Sequence, residues 1–181
     1  MRKFSCALAF MGLMLGLTAT AGDVKLEPGF RLLFNGKNFD GWQPKGKKDP
    51  LDGKTEAFKG RFKIDNGAIV VNPAVKGDAY IETAKDFSGD AHIKFDFNPG
   101  KDCNNDIFFR GSKFDIVLKL KGVKENEWNS CEIITTGDKI EHKINGETAR
   151  KSDAKSKSSP FVLRAEFGTI QIKNIRIKTE S

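Results

Sequence analysis

A two-sheet antiparallel β-sandwich, an all-β fold, is what the sequence predicts, and three observations predict it. Apolar and polar residues alternate with period two in several short segments, the pattern of strands with one buried face. Turn dipeptides separate these segments at intervals of roughly ten residues, a spacing typical of sandwiches. No segment carries the sustained apolar stripe of an amphipathic helix, and at most a short helix fits around residues 54–59.

Five segments show the alternation most clearly, and each is predicted to be a strand. In the fourth of them, Phe167 falls in the apolar phase and is predicted to face the core. The fifth changes phase at Asn174, which predicts a bulge or bend. The segments are HIKFDF (92–97), KFDIVLKL (113–120), SCEIITT (130–136), FVLRAEF (161–167) and TIQIKNIRIK (169–178).

Turn and loop residues lie between the alternating segments. The dipeptides at 66–67 (Asn-Gly), 137–138 (Gly-Asp) and 145–146 (Asn-Gly) have the position and chemistry of hairpin turns. Residues 45–54 read as a loop. Residues 149–160 are rich in serine and lysine and end in proline, so we predict a mobile basic loop there.

The amino terminus has the pattern of a secretory signal. An Arg-Lys pair at residues 2–3 precedes an apolar run over 4–17, and Ala-Thr-Ala at 19–21 is a small-x-small cleavage site. The apolar run is shorter than the roughly 20 residues of a membrane-spanning helix. We therefore predict cleavage after Ala21, a single domain over residues 22–181, and a secreted or periplasmic protein.

Charge and hydropathy narrow the range of partners. The formal net charge is +7, but the lysines are spread along the chain and no nucleic-acid-binding motif accompanies them. We therefore expect no nucleic acid partner. No segment after the signal is long and apolar enough to span a bilayer. The sequence does not set the oligomeric state.

Cys103 and Cys131 are the cysteines that remain after the signal. In an oxidising compartment the two thiols could form a disulfide. Alternatively, Cys131 is a small core residue and Cys103 a free loop thiol, and the sequence leaves both possibilities open. A catalytic cysteine is not expected, because neither His92 nor His142 accompanies a nucleophile motif.

The stretch NNDIFFRG, residues 104–111, is the least ordinary of the chain, because Arg110 ends an apolar strand directly after two phenylalanines. If one face of the sheet is concave and polar, Arg110 and other charged residues converge there. Carboxylates would then supply a general acid and base, and guanidinium groups would hold sugar hydroxyls or an oxyanion. The other charged residues in the polar phase of their strands are Asp115, Glu132, Arg164 and Glu166.

A plainer interpretation stands beside this one. Polar residues on the outer face of a soluble sandwich are solvated, and opposite charges there form cross-strand pairs. Trp42 and Trp128 are either sugar-stacking residues or core anchors. Asn104, Asn105 and Asp106 offer oxygen ligands that calcium or another divalent cation accepts, although an Asx-rich run before a strand is ordinarily a turn. No other cofactor is indicated.

Several segments together resemble the 3-keto-disaccharide hydrolase domain family. They follow the order of that family over nearly the whole chain after the signal, and the opening and closing segments are specific in combination. The segments are GFRLLFNGKNFDGW (29–42), NNDIFFRG (104–111), ENEWNSCEII (125–134), GDKIEHKINGE (137–147) and VLRAEFGTIQIKNIRIK (162–178).

The resemblance implies a concanavalin-like jelly-roll sandwich that is exported in bacteria and acts on glycosides whose sugar carries a ketone at C3. Such a ketone acidifies the hydrogen at C2, so the glycosidic bond can break by proton abstraction and β-elimination, followed by hydration. This route requires a base near C2, a cation or hydrogen-bond donor at the C3 oxygen, and an acid at the leaving group.

The resemblance also assigns candidate site residues. Arg110 matches the strand-end arginine of the family, and Trp128 and Asn129 match its Trp-Asn pair. We predict that the carbohydrate is the partner and that six residues serve it. The predicted catalytic residues are Arg110, Asp115 and Glu132, and the predicted substrate-binding residues are Arg164, Glu166 and Asn104.

The chain departs from the family pattern at some of these positions. Asp115 replaces the glutamate of a Tyr-Glu-Val-Gln pattern and Val117 its glutamine, while Asp106 replaces the glycine of Asn-Ser-Gly. Arg164 replaces a glutamine, and Glu166 stands where a histidine or acid is common. These departures, and the lack of the insertion usual before the Glu-Trp-Asn strand, motivate an alternative function. In it the protein is a carbohydrate-binding or surface-adhesion sandwich without activity, or a structural envelope protein.

Overall fold

The structure, a computed structural model, describes residues 25–180. The predicted signal segment, residues 1–21, lies outside the described residues. None of the residues from 25 to 180 forms a helix, so none forms one that could cross a membrane. At the predicted short helix, residues 54–59, the chain instead forms a two-residue strand, Glu56–Ala57.

Two antiparallel sheets form the sandwich. The larger sheet contains nine strands, which are β1 (Arg31–Leu32), β3 (Glu56–Ala57), β4 (Phe62–Asp65), β5 (Ala68–Val71), β8 (Ala91–Pro99), β11 (Asn129–Thr136), β12 (Lys139–Ile144), β13 (Glu147–Asp153) and β16 (Ile170–Thr179). The smaller sheet contains five, which are β2 (Trp42–Pro44), β6 (Ala79–Thr83), β9 (Asn104–Phe109), β10 (Ser112–Val117) and β15 (Val162–Phe167). A separate pair joins β7 (Phe87–Ser88) to β14 (Ser158–Ser159).

The strand order places the segments of the sequence across both sheets. The larger sheet runs β13-β12-β11-β8-β16-β5-β4-β3, with β1 also paired to β16, and the smaller sheet runs β10-β9-β15-β6-β2. The all-β antiparallel sandwich is thus confirmed. The predicted phase change at Asn174 is confirmed as well, because the register of β16 against β8 shifts between Lys173 and Arg176.

The core lies between the two sheets. Strand β8 alternates strictly, with Ile93, Phe95 and Phe97 buried and the residues between them partly exposed. Trp42 is fully buried and donates its indole N–H to the carbonyl oxygen of Leu33 over 2.7 Å. Of the two functions considered for Trp42, the structure therefore shows the core anchor.

The predicted mobile loop at residues 149–160 is wrong over most of its length. Residues 147–153 form the edge strand β13, paired to β12, and Ser158–Ser159 form β14. Edge strands of natural sheets carry many charged side chains, which oppose pairing with another chain. A lysine- and serine-rich edge strand therefore has the composition of a loop.

The edges of the two sheets are joined where β10 meets β13. Arg150 on β13 donates to the carbonyl oxygen of Lys113 on β10, and the hydroxyl groups of Ser112 and Ser152 lie 3.1 Å apart. Two residues before β10, the carbonyl oxygen of Arg110 accepts backbone hydrogen bonds from residues 155 and 156. The start of β10 is therefore tied to β13 at Ser112 and Lys113.

Both described cysteines are buried and neither forms a disulfide. Cys131 belongs to the core on β11, as one of the two alternatives states. Cys103 is also buried and not an exposed loop thiol, and burial raises its pKa to about 11. Both thiols are therefore protonated at neutral pH and are poor nucleophiles.

Candidate functional site

The outer face of the smaller sheet carries a row of charged side chains. The antiparallel register places Asp115 opposite Asp106, Asp106 opposite Arg164, and Arg164 opposite Tyr80. Residues that face each other on paired strands point to the same side of a sheet. The row therefore crosses four strands, from β10 to β6, on the side away from the core.

Arg164 is the centre of this face. Its Nη1 atom lies 2.7 Å from Asp106 Oδ2 and 2.8 Å from Glu166 Oε2, and its Nη2 atom contacts Asp78 Oδ2. We call these four residues the Arg164 cluster. Burial alone would lower the pKa of Arg164, but the carboxylates outweigh it and the pKa is raised. The guanidinium group is thus permanently charged and held in one orientation.

Asp106 is the most enclosed member of the cluster, with a side chain that is 0% exposed. Its Oδ2 atom also lies 3.3 Å from the ammonium group of Lys113, whereas Oδ1 has no hydrogen-bond partner among the described residues. Lys113 in turn lies 2.7 Å from Asp115. Burial would raise the pKa of Asp115, but the hydrogen bonds with Lys113 and Asp106 and the positive charges of Lys113 and Arg150 together outweigh burial and lower it.

A cleft of about 520 Å³ adjoins the Arg164 cluster, and Asp78 and Glu166 belong to both. We call it the Phe167 cleft, because Phe167 on its wall is 60% exposed. Burial raises the pKa of Glu166, and the nearby guanidinium of Arg164 offsets this only in part. Pockets of this size hold small ligands such as sugars. The remaining charged residues of the lining are Arg61, Lys76, Lys101 and Asp102.

Two local features of the backbone shape the cleft. Arg61 is buried and donates to the carbonyl oxygens of Asn72 and Glu166 over 2.7 and 2.6 Å, so it fixes the end of β15. Gly168 has a φ of 64°, and a Cβ atom there would lie 2.3 Å from the backbone of Asp102. Only glycine can occupy this position, because every other residue would clash with that backbone.

The prediction that Phe167 faces the core is wrong. The register of β15 against β9 shifts between Arg164 and Phe167, which turns the end of β15 out of its alternation. A register shift of one residue moves a side chain to the other face of a strand. Phe167 therefore points into solvent at the cleft.

Of the six predicted site residues, four lie on the outer face of the smaller sheet. Arg164 and Glu166 contact each other, and Asp115 reaches the Arg164 cluster through Lys113. Asn104, at the start of β9, shares the polar phase of Asp106. Asn105 points the other way, with its amide group hydrogen-bonded to the backbone of Glu166 and Phe167. The oxygen atoms proposed for calcium are therefore divided between the two faces of β9.

Arg110 does not join this face, so its predicted convergence with the other four charged residues is wrong. It lies in the β9–β10 turn with a φ of 53°, followed by Gly111 at 73°, and this geometry takes it out of the alternation of the strand. The guanidinium group is buried and donates to the carbonyl oxygens of Ser156 and Gly89 over 2.7 and 2.8 Å.

Glu132 lies on the opposite side of the molecule. It is on the outer face of β11 in the larger sheet, where Oε2 lies 2.7 Å from His92 Nε2 and 3.8 Å from Lys94 Nζ. Burial lowers the pKa of His92, although its hydrogen bond to Glu132 acts in the opposite direction. Alternation indicates which face of its own strand a residue occupies but not which sheet that strand joins, so the predicted convergence fails at Glu132.

The resemblance in the sequence is matched by comparison with known families. The model of the 3-keto-alpha-glucoside-1,2-lyase-like domain matches residues 29–123 and 118–178. The chain belongs to this family. The comparison with curated proteins found no matching relative. No group of three or more histidine, cysteine, aspartate or glutamate residues within 25–180 is arranged to hold a metal ion.

Solved structures share the fold of this lyase-like domain. Two proteins of Parabacteroides distasonis, named as candidate glycosyl hydrolases, superpose with TM-scores of 0.68 and 0.58 at 19% and 16% identity. These alignments cover 84% and 77% of this chain and 95% and 99% of the other chains. The carbohydrate-binding module CBM66 of Bacillus subtilis superposes with a TM-score of 0.51 at 15% identity, covering 78% of this chain and 97% of the module.

Two departures from the pattern of the lyase-like family contact each other. By the resemblance described above, Asp106 occupies the position of a glycine and Arg164 that of a glutamine, and their side chains form the 2.7 Å ion pair of the Arg164 cluster. Both departures are visible in the sequence, but their contact is not. The site residues not predicted from the sequence are Asp78, Lys113, Arg61 and the exposed Phe167. Lys113 could have been found from its polar phase on β10, whereas Asp78 and Arg61 lie in segments without a clear pattern.

Proposed function

We propose that the protein binds a carbohydrate in the Phe167 cleft. The observation that carries this proposal is the exposed ring of Phe167 on the wall of a cleft that also contains Asp78 and Glu166. A sugar has apolar C–H faces and a rim of hydroxyl groups. An aromatic face beside fixed hydrogen-bonding groups complements both.

The charge of the Phe167 cleft supports a neutral, hydroxyl-rich ligand. Three basic residues in the lining, Arg61, Lys76 and Lys101, are balanced by three acidic residues, Asp78, Asp102 and Glu166. The position of Glu166 is fixed by Arg164, which lowers the entropy lost on binding. The proposal includes export to the periplasm or medium, which the predicted signal over residues 1–21 supports.

The Arg164 cluster favours binding over catalysis. Asp106 is fully enclosed and its Oδ2 atom is paired with Arg164 and Lys113, so neither carboxylate oxygen is open to a substrate. Arg110 and Glu132, which were predicted to act on the substrate, lie outside the cleft lining. A sugar can still bind to Glu166, Asp78 and Phe167 at the rim of the cluster.

The binding proposal predicts the effect of truncating Phe167. Phe167→Ala is expected to weaken the affinity for a bound glycan by up to about tenfold, the loss of one aromatic contact. Titration calorimetry against a panel of neutral mono- and oligosaccharides would measure it. Trp128→Ala is the matched control, because Trp128 is another exposed aromatic residue, at 43%, outside the cleft lining. Loss of binding in the control alone, or no binding to the whole panel, would contradict the proposal.

A second candidate function is elimination from a 3-keto-glycoside in the same cleft. One observation favours it: Glu166 lines the cleft and burial raises its pKa, which makes it a stronger base than an exposed carboxylate. Glu166 would take the proton from C2, the electron pair would form the C1–C2 double bond, and the C1–oxygen bond would break. The aglycone oxygen would then take up a proton. Lys76 or Lys101 would stabilise the charge on the C3 oxygen.

The elimination candidate predicts loss of product release on one substitution. With 3-keto-trehalose and a 3-keto aryl glucoside as substrates, Glu166→Gln is expected to slow release by at least about a hundredfold. Glu147→Gln, at an exposed position of β13, is the control and should release product at the parental rate. If release is lost in Asp115→Asn or Glu132→Gln and kept in Glu166→Gln, the base is not Glu166. If the folded parent protein releases no product from either substrate, the elimination candidate is rejected and carbohydrate binding remains as the proposed function.

A further inference from the structure

A second cleft, of about 620 Å³, surrounds the side chain of Arg110, and no residue of its lining belongs to the Phe167 cleft. We call it the Arg110 cleft. Its lining contains three cationic side chains, Arg110, Lys155 and Lys157, and a single carboxylate, Asp138. The Phe167 cleft is balanced in charge, whereas the Arg110 cleft has a net excess of two positive charges by this count. The difference indicates an anionic ligand.

Arg110 provides a built hydrogen-bond donor in this cleft. The residue is 4% exposed, and two of its guanidinium nitrogens are already bonded to the carbonyl oxygens of Ser156 and Gly89. The third, Nη2, has no hydrogen-bond partner among residues 25–180. The two bonded nitrogens fix the plane of the guanidinium group, so Nη2 is held in one direction.

Ser156 provides a second unused polar group. Its Oγ atom is buried and has no partner among the described residues. A buried hydroxyl group without a partner costs free energy unless a ligand or water bonds to it. The carbonyl oxygen of Ser156 already accepts a hydrogen bond from Arg110 Nε over 2.7 Å, so the unpaired hydroxyl group belongs to a residue in direct contact with the fixed guanidinium group.

The backbone at Lys155 in the Arg110 cleft is also held by Arg110. The carbonyl oxygen of Arg110 accepts hydrogen bonds from the backbone N–H of Lys155 over 2.8 Å and of Ser156 over 3.2 Å. Arg110 thus holds residues 155 and 156 through both its backbone and its side chain. It does so from a positive φ of 53°, which is costly for an arginine. A segment ordered before binding loses less entropy when the ligand arrives.

We propose that the Arg110 cleft binds an oxyanion, a sulfate or phosphate group, through Arg110, Ser156 and the lysines at 155 and 157. Charge-assisted hydrogen bonds from a guanidinium group and two ammonium groups to the oxygens of such a group are short and strong. The ligand is either the free ion or an ester on a sugar, and both present the same oxygens to the cleft.

The test is a titration of the full chain, followed by NMR at low ionic strength, with inorganic sulfate, inorganic phosphate, glucose 6-sulfate and glucose 6-phosphate. Saturable shifts of the Arg110 Nε–H and Ser156 amide signals are expected, weakening as salt is added. Tighter binding of the esters would identify a charged carbohydrate as the ligand, and equal affinity would identify the free ion. Absence of saturable shifts with all four compounds would overturn the proposal.

Two matched pairs of lysine variants distinguish anion binding in the Arg110 cleft from general electrostatic attraction of an anion to a basic protein. Lys155→Ser with Lys157→Ser is expected to weaken binding by about tenfold. Lys119→Ser with Lys121→Ser removes the same charge at the same spacing from an exposed turn and should change affinity by less than about twofold. Equal losses in the two pairs would overturn the proposal. Because Arg110→Ala removes structural contacts and can prevent folding, Ser156→Ala is the conservative variant, with binding expected to weaken about threefold.

Discussion

Arg164→Gln is expected to lower the free energy of unfolding by about 3–5 kcal/mol, the cost of removing one partner from a buried ion pair. Asp106 is fully enclosed, and its charge is balanced by Arg164 at 2.7 Å and Lys113 at 3.3 Å. Glutamine cannot supply the missing charge, and the longer contact with the half-exposed Lys113 would remain as the only cationic one. Urea denaturation followed by circular dichroism would measure the change.

Two further variants show whether the loss comes from the buried carboxylate. Asp106→Asn together with Arg164→Gln is expected to be less destabilised than Arg164→Gln alone, because the unpaired buried charge is then absent. Arg176→Gln is the control, since Arg176 is equally enclosed but pairs with the more exposed Glu27. Arg176→Gln should lower the free energy of unfolding by at most about 1 kcal/mol. An Arg164→Gln variant no less stable than this control would contradict the role assigned to the pair.

Stability is expected to fall as the pH is lowered from about 6.5 towards 3, with His142 as a main cause. The ring of His142 is buried, and its Nδ1 atom has no hydrogen-bond partner among the described residues. The imidazole stacks on the ring of Phe114, with 4.3 Å between the two ring centroids. Burial, with a smaller effect from Arg150, lowers the pKa of His142 from 6.5 to about 3. Between these values the unfolded chain binds a proton that the folded chain does not, so acid favours unfolding. The slope approaches about 1.4 kcal/mol per pH unit.

Substitution of His142 tests whether this residue causes the dependence of the free energy of unfolding on pH. His142→Leu cannot take up a proton, so its free energy of unfolding should change with pH less steeply than that of the parent between pH 6.5 and 4.5. His92→Leu is the control: the pKa of His92 is also lowered, but its ring is hydrogen-bonded to Glu132 at the surface. If the two variants flatten the slope equally, or if neither does, His142 is not its main cause.

The fold could be predicted from the sequence because burial alternates along each long strand. In β8 and β16 the apolar phase and the phase change at Asn174 are both visible in the residues themselves. Edge strands are harder to recognise: β13 lacks an apolar phase because none of its residues is buried, and its composition resembles that of a loop.

The candidate site could be predicted only in part, because it depends on which strands become neighbours. Arg164 and Glu166 were recognised from their polar phase, but the pairing of Asp106 with Arg164 follows from the contact of β9 with β15. The same limit misplaced Glu132, whose strand joins the other sheet. Phe167 was missed for a different reason, since a local register shift reverses its direction and leaves no signal in the alternation.

The junction between β10 and β13 has a consequence for the behaviour of the protein in concentrated solution. A free sheet edge invites a strand of another molecule, which is the first step of domain swapping and fibril growth. Here the carbonyl oxygens of Arg110 and Lys113 are already bonded within the chain, and Arg150 and Lys151 place positive charge on the neighbouring edge. An incoming strand would find the carbonyl oxygen of Lys113 already bonded and would meet this positive charge, and both oppose self-association there.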